Sequence, residues 1–141
     1  MTISSPSAQT SAHASTPTNT YQTAFAGFAV KSTSIVGTKV FNRQSEHAGK
    51  VEEVVINVLD GNVAYLVVSF GGLFGMGEKL YAVPWKALYY DHELHAYLLN
   101  VPKEKIELAP GFEKEVWPLF TDERWNRSVH DHYGLAPFWV A

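Results

Sequence analysis

From Gly49 to Leu88 the chain reads GKVEEVVINVLDGNVAYLVVSFGGLFGMGEKLYAVPWKAL, a run of β-favouring residues set between turn signals with almost no helical periodicity. Val54, Ile56 and Val58 alternate with Glu53, Val55 and Asn57, which predicts a strand with two unlike faces. Asp60-Gly61 supplies a tight turn, and Val63 to Phe70 continues in extended form, so the two segments predict a β-hairpin. A glycine-rich stretch from Gly71 to Gly77 then leads into a strand over Lys79 to Trp85, whose Pro84 has no N–H to donate to a ladder. Upstream, Thr38 to Asn42 reads as the first strand and Arg43 to Ala48 as a polar turn. Downstream, Tyr89 to His95 reads as a polar turn and Ala96 to Val101 as the last strand of a small β-barrel.

Strand Val63 to Phe70 is apolar on both faces, with Ala64, Leu66, Val68 and Phe70 on one side and Val63, Tyr65 and Val67 on the other. One face fills the barrel. The other needs cover from the C-terminal segment, from the N-terminal arm, or from a second copy in a homodimer through Val63 to Phe70. After the barrel, Lys103 to Leu108 has room for one short helical turn, and Ala109-Pro110-Gly111-Phe112 forces a bend. Thr121 is the expected N-cap of a helix with Asp122 and Glu123 in its first turn, stopped by Gly134 and Pro137. Trp125 and Val129 share one face of that helix, flanked by Trp117, Phe120, Tyr133, Phe138 and Trp139. Such a density of aromatics either adds a core layer over an open end of the barrel or forms a surface for a partner.

The first 20 residues, MTISSPSAQTSAHASTPTNT, lack the apolar mass that would offset the entropy of ordering, and they read as a disordered tail. Phe25, Phe28 and Val30 follow in a segment that reads as an arm or a loose linker. The organisation expected is therefore a tail and arm over residues 1–33, a barrel over 34–112 and an aromatic extension with a short helix over 113–141. No secretory signal pattern and no apolar window long enough for a membrane-spanning helix is present, which predicts a soluble, cytoplasmic protein. The absence of cysteine excludes disulfides, thiolate nucleophiles and cysteine-based zinc sites. A net charge of −3, with lysine and arginine scattered, offers no basic stripe for a phosphate backbone, so no direct nucleic-acid contact is expected.

These residues resemble a known family. Gly49-Lys50-Val51, Val67-Val68-Ser69-Phe70-Gly71-Gly72 and Ala82-Val83-Pro84-Trp85 with Leu88, in this order within Ile35 to Phe112, look like the PRC-barrel domain. That family is named for the cytoplasmic domain of the photosynthetic reaction-centre H subunit and includes the C-terminal domain of a small-subunit ribosome maturation factor. The resemblance implies a compact, mostly non-catalytic β-barrel, and hence a binding or adaptor module that works through an unidentified protein partner. It also admits an accessory of ribosome maturation acting through a ribosomal protein, or an accessory of a photosynthetic or membrane electron-transfer complex.

Three constellations invite a chemical reading, and each is weak. Gly71, Gly72, Gly75 and Gly77 lack the strand-to-helix context of a phosphate-binding loop. His92 with His95 and His130 with His132 sit near carboxylates, but positions two apart on a helix point about 200° apart and cannot share a metal. Ser69, His95 and Asp60 lack a nucleophile elbow, and Glu52 and Glu53, adjacent in a strand, face opposite ways. No catalytic residue, metal or cofactor is expected. Docking is expected first at Leu73, Phe74 and Met76 in the glycine-rich turn, and second at Trp125, Phe138 and Trp139.

Overall fold

A computed structural model describes residues 29–70 and 79–139. The chain divides after Lys31, and the barrel lies in the second unit, Ser32–Ala141. Among the described residues seven strands form one sheet: β1 Lys39–Phe41, β2 His47–Asn57, β3 Asn62–Phe70, β4 Lys79–Pro84, β5 Leu88–Asp91, β6 Ala96–Leu99 and β7 Gly111–Glu113, in the spatial order β5-β6-β1-β2-β3-β4-β7. Helices α1 Ser32–Ile35, α2 Lys103–Glu107 and α3 Glu123–His132 are added, with a 3₁₀ turn at Trp85–Ala87. Neighbouring strands are antiparallel except β1 and β6, which run parallel.

The sheet curls around its apolar face. Val40 of β1, Val51 of β2, Leu66 and Val68 of β3, Val83 of β4 and Leu99 of β6 are all fully buried in one cluster. The Trp85 ring, just past β4, meets the Tyr97 ring of β6 at 6.0 Å, joining strands that are far apart in the sheet order. Bulges in β2, between Val51 and Glu53 and between Val55 and Ile56, supply bending. They also break the expected alternation. Val54 still packs on the interior, but Ile56 is 44% exposed and Val58 has left the strand.

Gly49 shows why the Gly-Lys-Val opening of β2 needs its glycine. A Cβ built there lies 2.0 Å from the Ser69 carbonyl oxygen of the paired strand, a distance that only backbone movement relieves.

Several boundaries differ from the sequence expectation, two of them because pairing with distant segments overrides local polarity and two because local side-chain hydrogen bonds set the turn and the cap. Tyr89 to Asp91, read as a polar turn, belongs to β5 and pairs with β6, leaving the turn at residues 92–95. The bend at Gly111 and Phe112 carries β7, which pairs with β4, so Ala96–Leu99 is not the last strand. The hairpin turn spans the four residues Val58 to Gly61, closed by the Asn57–Asn62 pair, rather than the two residues Asp60-Gly61. Asp122, not Thr121, caps α3: its carboxylate accepts from the backbone N–H groups of Arg124 and Trp125. Gly134, at φ +69°, ends that helix, and the Leu135 N–H returns to the His130 carbonyl as in a Schellman closure.

The outward face of β3 is covered within the chain. Tyr65 and Val67 join Leu80, Ala82, Phe112 and Val129 of α3 in a second buried cluster, with Phe120, Trp125 and Phe138 packed against it. Ala64 belongs to this cluster and Val63 packs on the interior one, the reverse of the expected alternation, beside the irregularity between Val55 and Ile56. The aromatic extension is thus a core layer, placed on the outer face of β3 and β4 rather than over a barrel end. The face that a homodimer through Val63 to Phe70 would use is taken up within the chain: Ala64 to Ser69 are buried, and the strand is paired by β2 and, from Tyr65 on, by β4. Among the described residues no helix is long and apolar enough to cross a membrane.

Gly49→Ala is expected to destabilise the fold by about 1–3 kcal/mol, the usual cost of overpacking, measured as a shift in the urea midpoint at unchanged slope. A variant as stable as the parent would show that the Ser69 backbone moves aside freely.

Candidate functional site

Tyr65 projects from the centre of β3 into the layer formed by the extension. Its ring lies 5.6 Å from Trp125, 5.7 Å from Phe138, 5.5 Å from His130 and 6.2 Å from Phe120. A phenol in so apolar a cage must keep a hydrogen-bond partner, and it donates to the Asn126 side-chain oxygen on α3. Asn126 is itself completed: its amide nitrogen donates to the backbone oxygens of Phe120 at 2.9 Å and Asp122 at 2.8 Å.

One turn further along α3, His130 is 2% exposed and its Nδ1 lies 2.8 Å from the Asn126 backbone carbonyl. A carbonyl only accepts, so Nδ1 is the donor here, and in a neutral ring the lone pair then falls to Nε2. Among the described residues Nε2 has no hydrogen-bond partner, and the Tyr65 hydroxyl lies 3.5 Å from Nδ1.

His130 lines a cleft of about 430 Å³. Its other walls are the β2–β3 turn at Asn57, Asp60 and Asn62, the 3₁₀ turn at Trp85 and Lys86, and Phe138 beyond α3. The turn is built by its own polar groups. The Asn57 side chain accepts from the Leu59 N–H and donates to Asp60, whose other carboxylate oxygen accepts from the Asn62 N–H at 2.8 Å. Gly61 takes φ +78°, and its N–H closes onto the Asn57 carbonyl. This construction leaves Val58 and Leu59 at the tip, 87% and 93% exposed. Trp85, 40% exposed, stands on the opposite wall.

The expected site residues fall in different places. Leu73, Phe74 and Met76 lie outside the described residues. Trp125 is a half-buried wall of the Tyr65 cage, and Phe138 serves both the cage and the cleft. Trp139 is 40% exposed, edge-on to His130 at 5.9 Å, with the Arg127 guanidinium 5.6 Å from its ring centre. Val58, Leu59, Trp85 and Lys86 were not among the expected site residues. The signal for the first two was Asn57 and Asp60-Gly61 bracketing them, a spacing that forms side-chain turns and lifts apolar residues out of a strand.

The dismissed chemistry has other occupations. The Ser69 hydroxyl donates to Glu52 at 2.7 Å, near the far end of β3 from Asp60, a span of about 23 Å at strand rise. His95 lies 3.4 Å from the Tyr90 hydroxyl, and His132 Nε2 donates to the Lys105 carbonyl. Among the described residues no three His, Cys, Asp or Glu side chains converge as a metal site.

A curled small sheet with a helix latched on its outer face, and a cleft of mixed lining beside it, defines a small β-barrel domain. The PRC-barrel domain profile matches residues 29–106, more than half of the chain, and the protein belongs to that family. A search of curated proteins finds no match to this chain.

Burial raises the pKa of Tyr65, and the same desolvation acts on Tyr81, Tyr97 and Tyr133, helped at Tyr81 by Glu107 and at Tyr133 by Tyr81. In the unfolded chain these phenols lose protons near pH 10. The folded state holds them longer, so their contribution is complete below about pH 9 and is lost as the pH climbs past about 10. Urea midpoints are therefore expected to be flat from about pH 7 to 9 with respect to these groups and to fall above about 10. Tyr65→Phe, which strips Asn126 of its donor, is expected to cost about 1–3 kcal/mol and to reduce that alkaline loss. An unchanged midpoint at neutral pH in the variant would sink the latch.

Proposed function

We propose that this PRC-barrel protein is a non-enzymatic adaptor that binds a protein partner through the cleft between the β2–β3 turn and the C-terminal extension. PRC-barrel domains are in general interaction modules, which supports the class of function. The observation that carries the placement is the pairing of two nearly fully exposed aliphatic side chains, Val58 and Leu59, with the adjoining 430 Å³ cleft. Apolar side chains fixed at a loop tip beside a concave site are a recurrent interaction surface, because their area is removed from water only when a partner arrives.

Replacing both residues, Val58→Ser with Leu59→Ser, is expected to leave stability within about 0.5 kcal/mol of the parent, since neither side chain is buried. In quantitative capture from a native lysate the same variant is expected to lose at least about tenfold of a specific partner, the scale of an interface hot spot. A partner retained at equal yield by both proteins would refute this surface.

A further inference from the structure

The cleft also carries information about what it takes. Its floor holds the His130 imidazole, whose one proton is committed to the Asn126 carbonyl and whose Nε2 is an acceptor without a partner among the described residues. Trp85 and Phe138 contribute aromatic walls, and Lys86, exposed at the rim, makes no ion pair among the described residues. Asp60 lines the same cleft; its oxygens each hold a donor of the turn, which fixes its place while its negative charge remains, so among the described residues Lys86 is the one cation of the lining and Asp60 its one anion.

A matching group must present an N–H or O–H to Nε2, an apolar body to the two rings, and negative charge to the lysine. Serine and threonine bring the donor but little body, leaving most of a 430 Å³ cavity without contacts. Asparagine and glutamine place polar atoms against aromatic walls without partners. Lysine and arginine would carry a full charge down to the buried imidazole, where losing water is costly. Tyrosine and tryptophan combine a rigid apolar ring with one terminal donor, and ring against ring adds to the gain from burial.

Resting on the adaptor reading above, we propose that the cleft captures a tyrosine or tryptophan side chain of the partner, its O–H or N–H donated to His130 Nε2, with an adjacent carboxylate paired to Lys86. Because Nδ1–H is held by the Asn126 carbonyl, Nε2 is the ring nitrogen left to accept, which makes this a selective arrangement. An isosteric phenylalanine leaves Nε2 dehydrated and unpaired.

The test uses the full chain labelled with ¹⁵N and three capped peptides, acetyl-Gly-Tyr-Glu-Gly-amide and its versions with Phe for Tyr or Lys for Glu. The Tyr–Glu peptide is expected to shift the His130 Nε2 and Trp85 indole resonances. The Phe version should bind about fivefold more weakly. Lys86→Glu, a rim change that leaves the buried network intact, is expected to weaken the Tyr–Glu peptide about fivefold and to favour the Tyr–Lys one. His130→Gln adds a second check only if it folds, since the ring also holds the Asn126 carbonyl.

Equal affinity for the Tyr and Phe peptides, or unmoved His130 and Trp85 resonances at millimolar peptide, would overturn the proposal. Tighter binding of free 4-hydroxyphenylacetate than of the Tyr–Glu peptide would overturn its assignment to a protein segment. If the peptides fail while Val58→Ser with Leu59→Ser still abolishes capture, the chemistry of the cleft is wrong and the adaptor reading stands. If they bind as stated while capture is unaffected, the chemistry stands and the adaptor surface is wrong.

Discussion

The hydrogen bond from Tyr65 to Asn126 couples the two halves of this structure. β3 is apolar on both faces, and the barrel interior satisfies only one of them. Cover for the other comes from α3 and the aromatic residues around it, but that cover encloses a phenol, and a buried hydroxyl without a partner costs more than the hydrogen bond gains. Asn126 settles the cost, and its own amide is settled by the Phe120 and Asp122 carbonyls. The consequence is positional. A helix turned by one residue rotates Asn126 by about 100° away from the phenol, so this single pair selects the rotational setting of α3 that apolar packing alone leaves loose. His130, one turn on, is then placed with Nδ1 on the Asn126 carbonyl and its side chain among the residues that line the cleft.

Much of the barrel could be read from the chain because its signals are local or compositional. The two-faced apolarity of Val63 to Phe70 correctly demanded cover, and the glycine at 134 correctly ended a helix whose polar cap lay one residue from the expected one. What escaped was set by contacts distant in sequence. The bulges of β2 depend on its pairing with β3, and nothing in Glu52 or Ile56 announces them. Tyr89-Tyr90-Asp91 look like turn residues until β6 pairs with them, and Gly111 looks like a bend until β4 does. Gly49 was recognisable as part of a pattern, yet its cause, the Ser69 carbonyl where a Cβ would be, is visible only across the ladder.

The candidate site was less legible for a related reason. Hydrophobic aromatics near a terminus draw attention as a binding surface, but Trp125 and much of Phe138 are consumed by the Tyr65 cage. Val58 and Leu59 drew none, because valine and leucine after a strand read as more strand. Only the Asx bonds of Asn57 and Asp60 reveal that the chain has already turned there.

That turn also explains why exposure at the tip persists. Burying a valine or leucine side chain gains roughly 1.5–3 kcal/mol, so two such residues have a strong incentive to fold back onto the sheet. They are held away by three hydrogen bonds that use the turn's own side chains and backbone, with a glycine at the left-handed φ that closes it. The tip is therefore stiff as well as apolar. A stiff apolar tip loses little conformational freedom when it is covered, which favours association with a partner over collapse onto the parent barrel. Among the described residues the fold assigns its strands to two cores and leaves the side chains at this tip outside both, which is the physical ground for the docking surface proposed above.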